Sequence, residues 1–162
     1  MANTIIQSQL EDVKSFLQTS IIHIEDYLNA TTLNSMQAEK AGDSDYYKAL
    51  LSAIRKLAVY SEENLEACRV VLQNEVFHKA AAEKILYRVY HQVVEEFFSP
   101  KSDCWFEDSR SAYTGKNSIK FRMEHPGSMS DLVKQLESAF QAVREELEFY
   151  ETDYRTKMIQ SN

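Results

Sequence analysis

Ser99-Pro100-Lys101-Ser102-Asp103-Cys104-Trp105-Phe106-Glu107-Asp108-Ser109-Arg110-Ser111-Ala112-Tyr113-Thr114-Gly115-Lys116-Asn117-Ser118-Ile119-Lys120-Phe121-Arg122-Met123-Glu124-His125-Pro126-Gly127 decides the fold. It holds the only Trp, both Pro and two of the three Gly of the chain. Pro100 ends a helical pattern, because proline donates no backbone hydrogen bond and restricts the residue before it. Ser118–Met123 then alternates. Ile119, Phe121 and Met123 share one face of a strand, and Lys120 and Arg122 the other. Thr114-Gly115-Lys116-Asn117 is turn chemistry, since Gly and Asn accept positive φ. Ser111–Met123 therefore reads as a β-hairpin with an apolar and a basic face, inside an insertion of about 103–124. A lone hairpin is marginal in water, so this one must lie on the rest of the chain, with Trp105 and Tyr113 close to the same apolar floor.

On both sides the chain reads as long amphipathic helix. Thr4–Asn29 carries Ile6, Leu10, Val13, Leu17, Ile21, Ile24 and Leu28 at spacings of three and four, one buried stripe. Thr4 or Asn3 can cap it. Ala30–Gly42 is turn-like, and Leu33 and Met36 fit a short helical turn that lids one end. Asp43–Leu72 carries Tyr47, Leu50, Ile54, Leu57, Ser61, Leu65, Cys68 and Leu72 and spans roughly 45 Å. Gln73-Asn74-Glu75 reads as a tight break, with Asn74 capping the next helix. Glu75–Phe98 is the most apolar of the four. Its Ala80, Ala81, Ala82, Leu86, Val89, Tyr90, Val93, Val94 and Phe97 cover more than one face. Ser128–Ile159, capped by Ser128 or Ser130, carries Leu132, Leu136, Ala139 or Phe140, Val143, Leu147, Tyr150 and Tyr154. Its outer face pairs Arg144 with Glu148 and Glu151 with Arg155 at helical spacing. The expected architecture is a single mainly α domain over residues 1–162. It is a four-helix bundle with a β-hairpin inserted between helices three and four. A connection of nearly thirty residues leaves helix direction open.

Length and composition narrow the function classes. The chain has 162 residues, 18 Lys and Arg against 25 Asp and Glu, and a net charge of −7. An acidic chain is poorly suited to nucleic acid, where affinity comes from neutralising phosphates. No apolar run approaches the about 20 residues that span a bilayer, and Met1–Gln9 lacks a basic start and an apolar block. Cys68 and Cys104 form no spacing motif and fit reduced, buried thiols. A cytoplasmic location is expected, with no membrane association.

Few constellations suggest chemistry. Glu75-x-x-His78 has the spacing of a bundle di-metal ligand pair. It lies at a helix start, no second copy exists, and the stripes carry almost no inward carboxylate, so neither a metal nor another cofactor is expected. His91 and Glu95 stand four apart on the third helix, an arrangement that can orient a general base or merely pair two polar groups on a helix flank. No Ser, His and Asp or Cys and His order marks a nucleophile. Gly115-Lys116 lacks the rest of a phosphate loop. The strongest local signal is charge: Ser109–Arg122 holds Arg110, Lys116, Lys120 and Arg122 and no acid. A positive patch in a negative field attracts an anion or an acidic partner. The same cations could instead neutralise Glu107, Asp108 and the acidic helix faces.

The chain resembles the YpuI-like family of small Bacillus-type proteins of unknown function. The resemblance rests on Tyr87–Phe98 with Ser99-Pro100-Lys101, on Trp105–Phe121, and on Glu145–Arg155. It implies a cytosolic bacterial protein and carries over no catalytic residue. Two function classes remain. One is a non-enzymatic binding module that meets an acidic protein or a small anion through Trp105, Arg110, Tyr113, Lys116, Lys120 and Arg122. The other is an enzyme acting on a phosphate-bearing small molecule, in a pocket between the third helix and the hairpin at His91 and Glu95. Long amphipathic helices with a wide apolar face also fit a homodimer.

Overall fold

The computed structural model describes the backbone of residues 2–108 and 117–161 and the side chains of residues 4–108 and 117–148. Helix α1, Ala2–Ala30, buries the stripe Ile6, Leu10, Val13, Leu17, Ile21 and Ile24. The short helix α2, Leu33–Glu39, starts on a reciprocal cap: Thr32 Oγ1 accepts from Ser35 N, and Ser35 Oγ accepts from Thr32 N. Met36 of α2 is buried, as expected of a lid on the core. Asp43 caps α3, Ser44–Gln73, by accepting from Tyr46 N at 2.8 Å. The α3 stripe from Tyr47 through Cys68 is buried, and Leu72 is partly buried.

The third long segment departs from the expectation in two ways. It begins at Lys79 rather than Glu75, with His78 at the N-cap, and Asn74 closes α3 instead of opening the next helix. Turning the chain back onto α3 takes the whole of residues 74–78, and Val76 stands exposed there. The segment is also not one regular helix. Helix α4, Lys79–Val89, passes into a π-turn over Tyr90–Val94 and resumes as α5, Glu95–Phe98. The extra residue of a π-turn rotates everything after it relative to an unbroken α-helix. Val93, Val94, Phe97 and Phe98 all become buried, and Glu96 goes in with them. Ala82 is buried, whereas Ala80 is exposed and lies outside the packed face.

The two-stranded antiparallel sheet pairs β1, Trp105–Glu107, with β2, Ile119–Phe121, in the register Trp105↔Phe121, Phe106↔Lys120 and Glu107↔Ile119. The first strand therefore lies upstream of the expected Ser111 start, and residues 109–116, including Arg110, Tyr113 and Lys116, lie outside the described ones. Asn117 has φ of 52°, the left-handed conformation expected of a turn Asn. Two buried hydrogen bonds seat the sheet. Trp105 Nε1 donates to Phe97 O at 2.6 Å, and Tyr46 Oη donates to Cys104 O at 2.6 Å. Burial pushes the Tyr46 phenol above its ordinary pKa, which keeps it a donor. Ile119 and Phe121 pack on the core, and Lys120 and Arg122 are exposed, as alternation requires. Met123 is 47 % exposed, because the strand ends at Phe121 and the chain bends before Met123 is reached.

Helix α6, Gly127–Ser161, buries Met129, Leu132, Val133, Leu136, Phe140, Val143 and Leu147. Phe140 stacks on Phe97 and meets Phe16 edge-on, while Ala139 is exposed. Neither Ser128 nor Ser130 caps α6 through its side chain. Glu39 at the end of α2 does so across space, its Oε2 accepting from Ser128 N at 2.8 Å. These contacts hold the Glu39 carboxyl below the usual carboxylate range, the Ser128 N–H first among them. Helix α1 packs on α3, α4 and α6, and α4 packs on α1, α3 and α6. Among the described residues no helix is long and apolar enough to cross a membrane.

Candidate functional site

Two openings border the sheet, one touching β1 and the other β2, and α6 supplies a wall to both. The first, of about 420 Å³, lies where the π-turn meets the segment after α5. The π-turn and α5 supply Tyr90, His91, Glu95, Glu96 and Phe98; the following chain supplies Ser99, Lys101 and Glu107; α6 supplies Arg144. Its charges are tied across elements. Arg144 makes a two-pronged pair with Glu107, Nη1 to Oε1 at 2.9 Å and Nη2 to Oε2 at 2.7 Å. Its guanidinium lies 3.7 Å above the centre of the Phe98 ring and also meets Gln141. Helical spacing pairs Arg144 with Glu148, but a planar fork gains more from the two oxygens of Glu107 than from an exposed neighbour on its own helix.

His91 and Glu95 meet as their spacing implies, Nδ1 to Oε2 at 3.0 Å. The imidazole is held edge-on between Tyr87 and Tyr90, with ring centres 4.4 and 5.4 Å away. Glu96 is buried. Its Oε1 accepts from Lys101 N at 3.2 Å and lies 3.8 Å from Lys56 Nζ.

The second opening, of about 460 Å³, is a groove between β2 and the first turns of α6. Ile119, Phe121 and Val133 form its apolar side, and Lys120, His125, Ser130 and Lys134 its polar side. Phe121 and His125 stack with ring centres 4.0 Å apart and planes 20° from parallel. Glu137 closes the end. It is buried, and its Oε2 accepts from Ser118 N at 3.2 Å and Oγ at 3.4 Å. No acidic group among the described residues pairs with Lys120 or Lys134.

The structure thus separates the residues singled out from the sequence. His91 and Glu95 come together in the first opening, Lys120 lines the second, and Arg122 belongs to neither. Arg122 Nη2 binds Asp103 Oδ1 at 3.0 Å, and its guanidinium lies 4.1 Å over Phe106. Trp105 is fully buried and lines neither opening, because its whole indole is used to anchor the sheet. Sequence reading missed Glu96, Glu107, Arg144, His125, Lys134 and Glu137. Two of these were visible: Glu96 and Glu137 each sit within an apolar stripe, where a carboxylate needs a reason. Cys68 and Cys104 are buried free thiols. Among the described residues no three His, Cys, Asp or Glu side chains stand together as a metal set.

Comparison with other proteins adds an identity without a chemistry. The chain is 45 % identical over 151 residues to "Uncharacterized protein YpuI" of Bacillus subtilis (strain 168), covering 93 % of this chain and 84 % of that protein. No solved structure matches it. The model of a family described as "Protein of unknown function (DUF3907)" matches residues 10–156, and the chain belongs to that family.

Proposed function

We propose that this protein is a non-enzymatic binding module that holds a small anion in the groove between β2 and α6. The observation that carries the reading is the pair Lys120 and Lys134, two cations that line one groove without an ion pair to any described residue, the Glu137 carboxylate in the same groove being bound to Ser118. Arg122 is already satisfied by Asp103, so the recognition surface shifts from the outer strand face toward α6. Ser130 adds a hydroxyl donor, and His125 adds an imidazole ring stacked on Phe121. The carboxylate of Glu137 is turned to Ser118. The ligand class is a phosphate or carboxylate with a small apolar or planar body, since Ile119, Phe121 and Val133 offer an apolar wall. Two lysines near a phosphate at partly solvated distance attract it by about 1–4 kcal/mol each, a range that runs from tens of millimolar to about micromolar, and the Glu137 charge shifts binding toward the weak end.

The setting we propose is a cytoplasmic four-helix bundle with the hairpin as its insertion. The packing of α1, α3, α4–α5 and α6 and the buried unpaired cysteines support it. Calorimetric titration with phenyl phosphate at low salt tests the reading. Wild type should bind, binding should weaken steadily with added salt, and the Lys120→Glu/Lys134→Glu variant should lose it while keeping its unfolding midpoint. Equal binding by wild type and the double variant would refute the proposal.

A further inference from the structure

We infer that the opening at the π-turn is a second, independent site, and that it takes a zwitterion of amino-acid size through its ammonium group. Glu96 is the starting point. Its side chain is 7 % exposed, and both of its contacts fall on the same oxygen: the Lys101 N–H at 3.2 Å and the Lys56 ammonium at 3.8 Å each meet Oε1. No donor from the described residues reaches Oε2. A carboxylate accepts about four hydrogen bonds, so Glu96 keeps acceptor capacity that its two contacts do not use. Glu96 also lines the opening. A ligand donor placed there completes a half-satisfied group.

The surrounding charges select the donor. The carboxylates lining the opening are Glu95, Glu96 and Glu107, and the cations are Lys101 and Arg144 in the lining and Lys56 on Glu96 from outside it, while the His91 ring is held on Glu95. Arg144 is committed to Glu107 by two hydrogen bonds. A lone cation or a lone anion would leave this balanced set with one charge unmatched. A zwitterion brings none: its ammonium meets Glu96 Oε2, with Glu95 at the rim, and its carboxylate meets the exposed Lys101. Lys101 and Glu96 are already held together by the backbone bond at 3.2 Å, so the two poles of the site are fixed a few residues apart. The π-turn creates the arrangement. An unbroken α-helix from Lys79 would rotate Glu95 and Glu96 to other positions, and π-turns recur at functional sites because they re-aim side chains in this way.

The test uses the whole protein and three probes that share one side chain: L-leucine, isopentylamine, which lacks the carboxylate, and N-acetyl-L-leucine, which lacks the ammonium. The remaining L-amino acids are screened by the rise in unfolding temperature that binding causes. At least one L-amino acid should bind. Isopentylamine should bind more weakly than leucine, and N-acetyl-L-leucine should not bind. Glu96→Gln keeps an acceptor for the Lys101 N–H and should weaken the bound amino acid about tenfold or more. Lys101→Met should bring leucine down to the level of isopentylamine. Should Glu96→Gln fail to fold, Ser99→Trp at the exposed rim carries the test by blocking entry, and it too should abolish binding. Absence of binding by every L-amino acid overturns the inference, whether or not isopentylamine binds. So does binding of N-acetyl-L-leucine as tight as that of leucine.

Discussion

The opening at the π-turn and the groove beside β2 share one helix, and their positions on it, Arg144 and Lys134, are about 15 Å apart along the axis. They are nonetheless opposites. In the first, polar groups are tied to one another: Arg144 across elements to Glu107, His91 to Glu95 one helical turn on, and Glu96 to the Lys101 backbone N–H. In the second, Lys120 and Lys134 stand without an ion pair to any described residue. Pairing across elements is structural as well as chemical, since removing one partner strands the other. Unpaired surface cations add little stability and are free to meet a ligand. The same side-chain types are therefore tied to one another on one side of the sheet and left without ion pairs on the other.

Breaking the framework side should have the largest effect. Arg144→Ala leaves Glu107 without its fork and uncovers Phe98. Removing one partner of a fully buried pair costs about 3–5 kcal/mol, and this pair, with side chains 17 % and 21 % exposed, should cost about 2–3 kcal/mol. Urea unfolding with an unchanged slope measures it. The groove variant Lys120→Glu/Lys134→Glu should instead stay within about 0.5 kcal/mol of wild type. Equal losses in the two variants would erase the distinction.

The next effect concerns the wall that both openings share. Glu39 caps α6, so Glu39→Ala should cost about 0.5–2 kcal/mol. Its carboxyl is held below the ordinary range in the folded protein, so its contribution is present above the unfolded carboxyl pKa and is lost as pH falls through the folded one. Stability measured from pH 7 down to pH 3 should fall less steeply in Glu39→Gln than in wild type. An identical slope would show that the cap carries no proton linkage.

Much of this was readable beforehand. The stripes of α1 and α3 repeat at three and four without interruption, so both helices and their buried faces follow from spacing alone. The alternation of Ser118–Met123 located β2. Its partner was harder. Trp105–Glu107 has only three residues and no alternation long enough to mark a strand, and its pairing depends on Trp105 and Cys104 being held by Phe97 and Tyr46. The π-turn was invisible, because apolar residues crowd both faces of Tyr87–Phe98 and a rotated helix fits that pattern as well as a straight one. Arg144–Glu107 joins residues 37 apart in sequence, a contact that only the tertiary fold creates. Nothing in the sequence alone sets Lys134 apart from the other charges of α6; its place opposite β2 comes from the tertiary fold.

A smaller effect separates the sheet from the helices it lies on. Cys68, deep in α3, has its thiol pushed up to about 12 by burial, and Cys104 is buried just before β1. A three-residue strand opens more readily than a thirty-residue helix, and Cys68, five residues from the end of α3, is fully buried. Thiol labelling of the native protein should therefore modify Cys104 before Cys68, as mass spectrometry of the digested product would show. The reverse order would mean that the sheet is the better-held element.

The central claim is that the groove beside β2, and not the basic strand face at large, receives an anion. Backbone amide NMR during titration with phenyl phosphate tests it most directly. The shifts should saturate and cluster at residues 117–121 and 130–137, with Arg122 and the π-turn unaffected, and should vanish in Lys120→Glu/Lys134→Glu. Shifts that persist in the double variant, or that centre on Arg122 and Asp103, would contradict it.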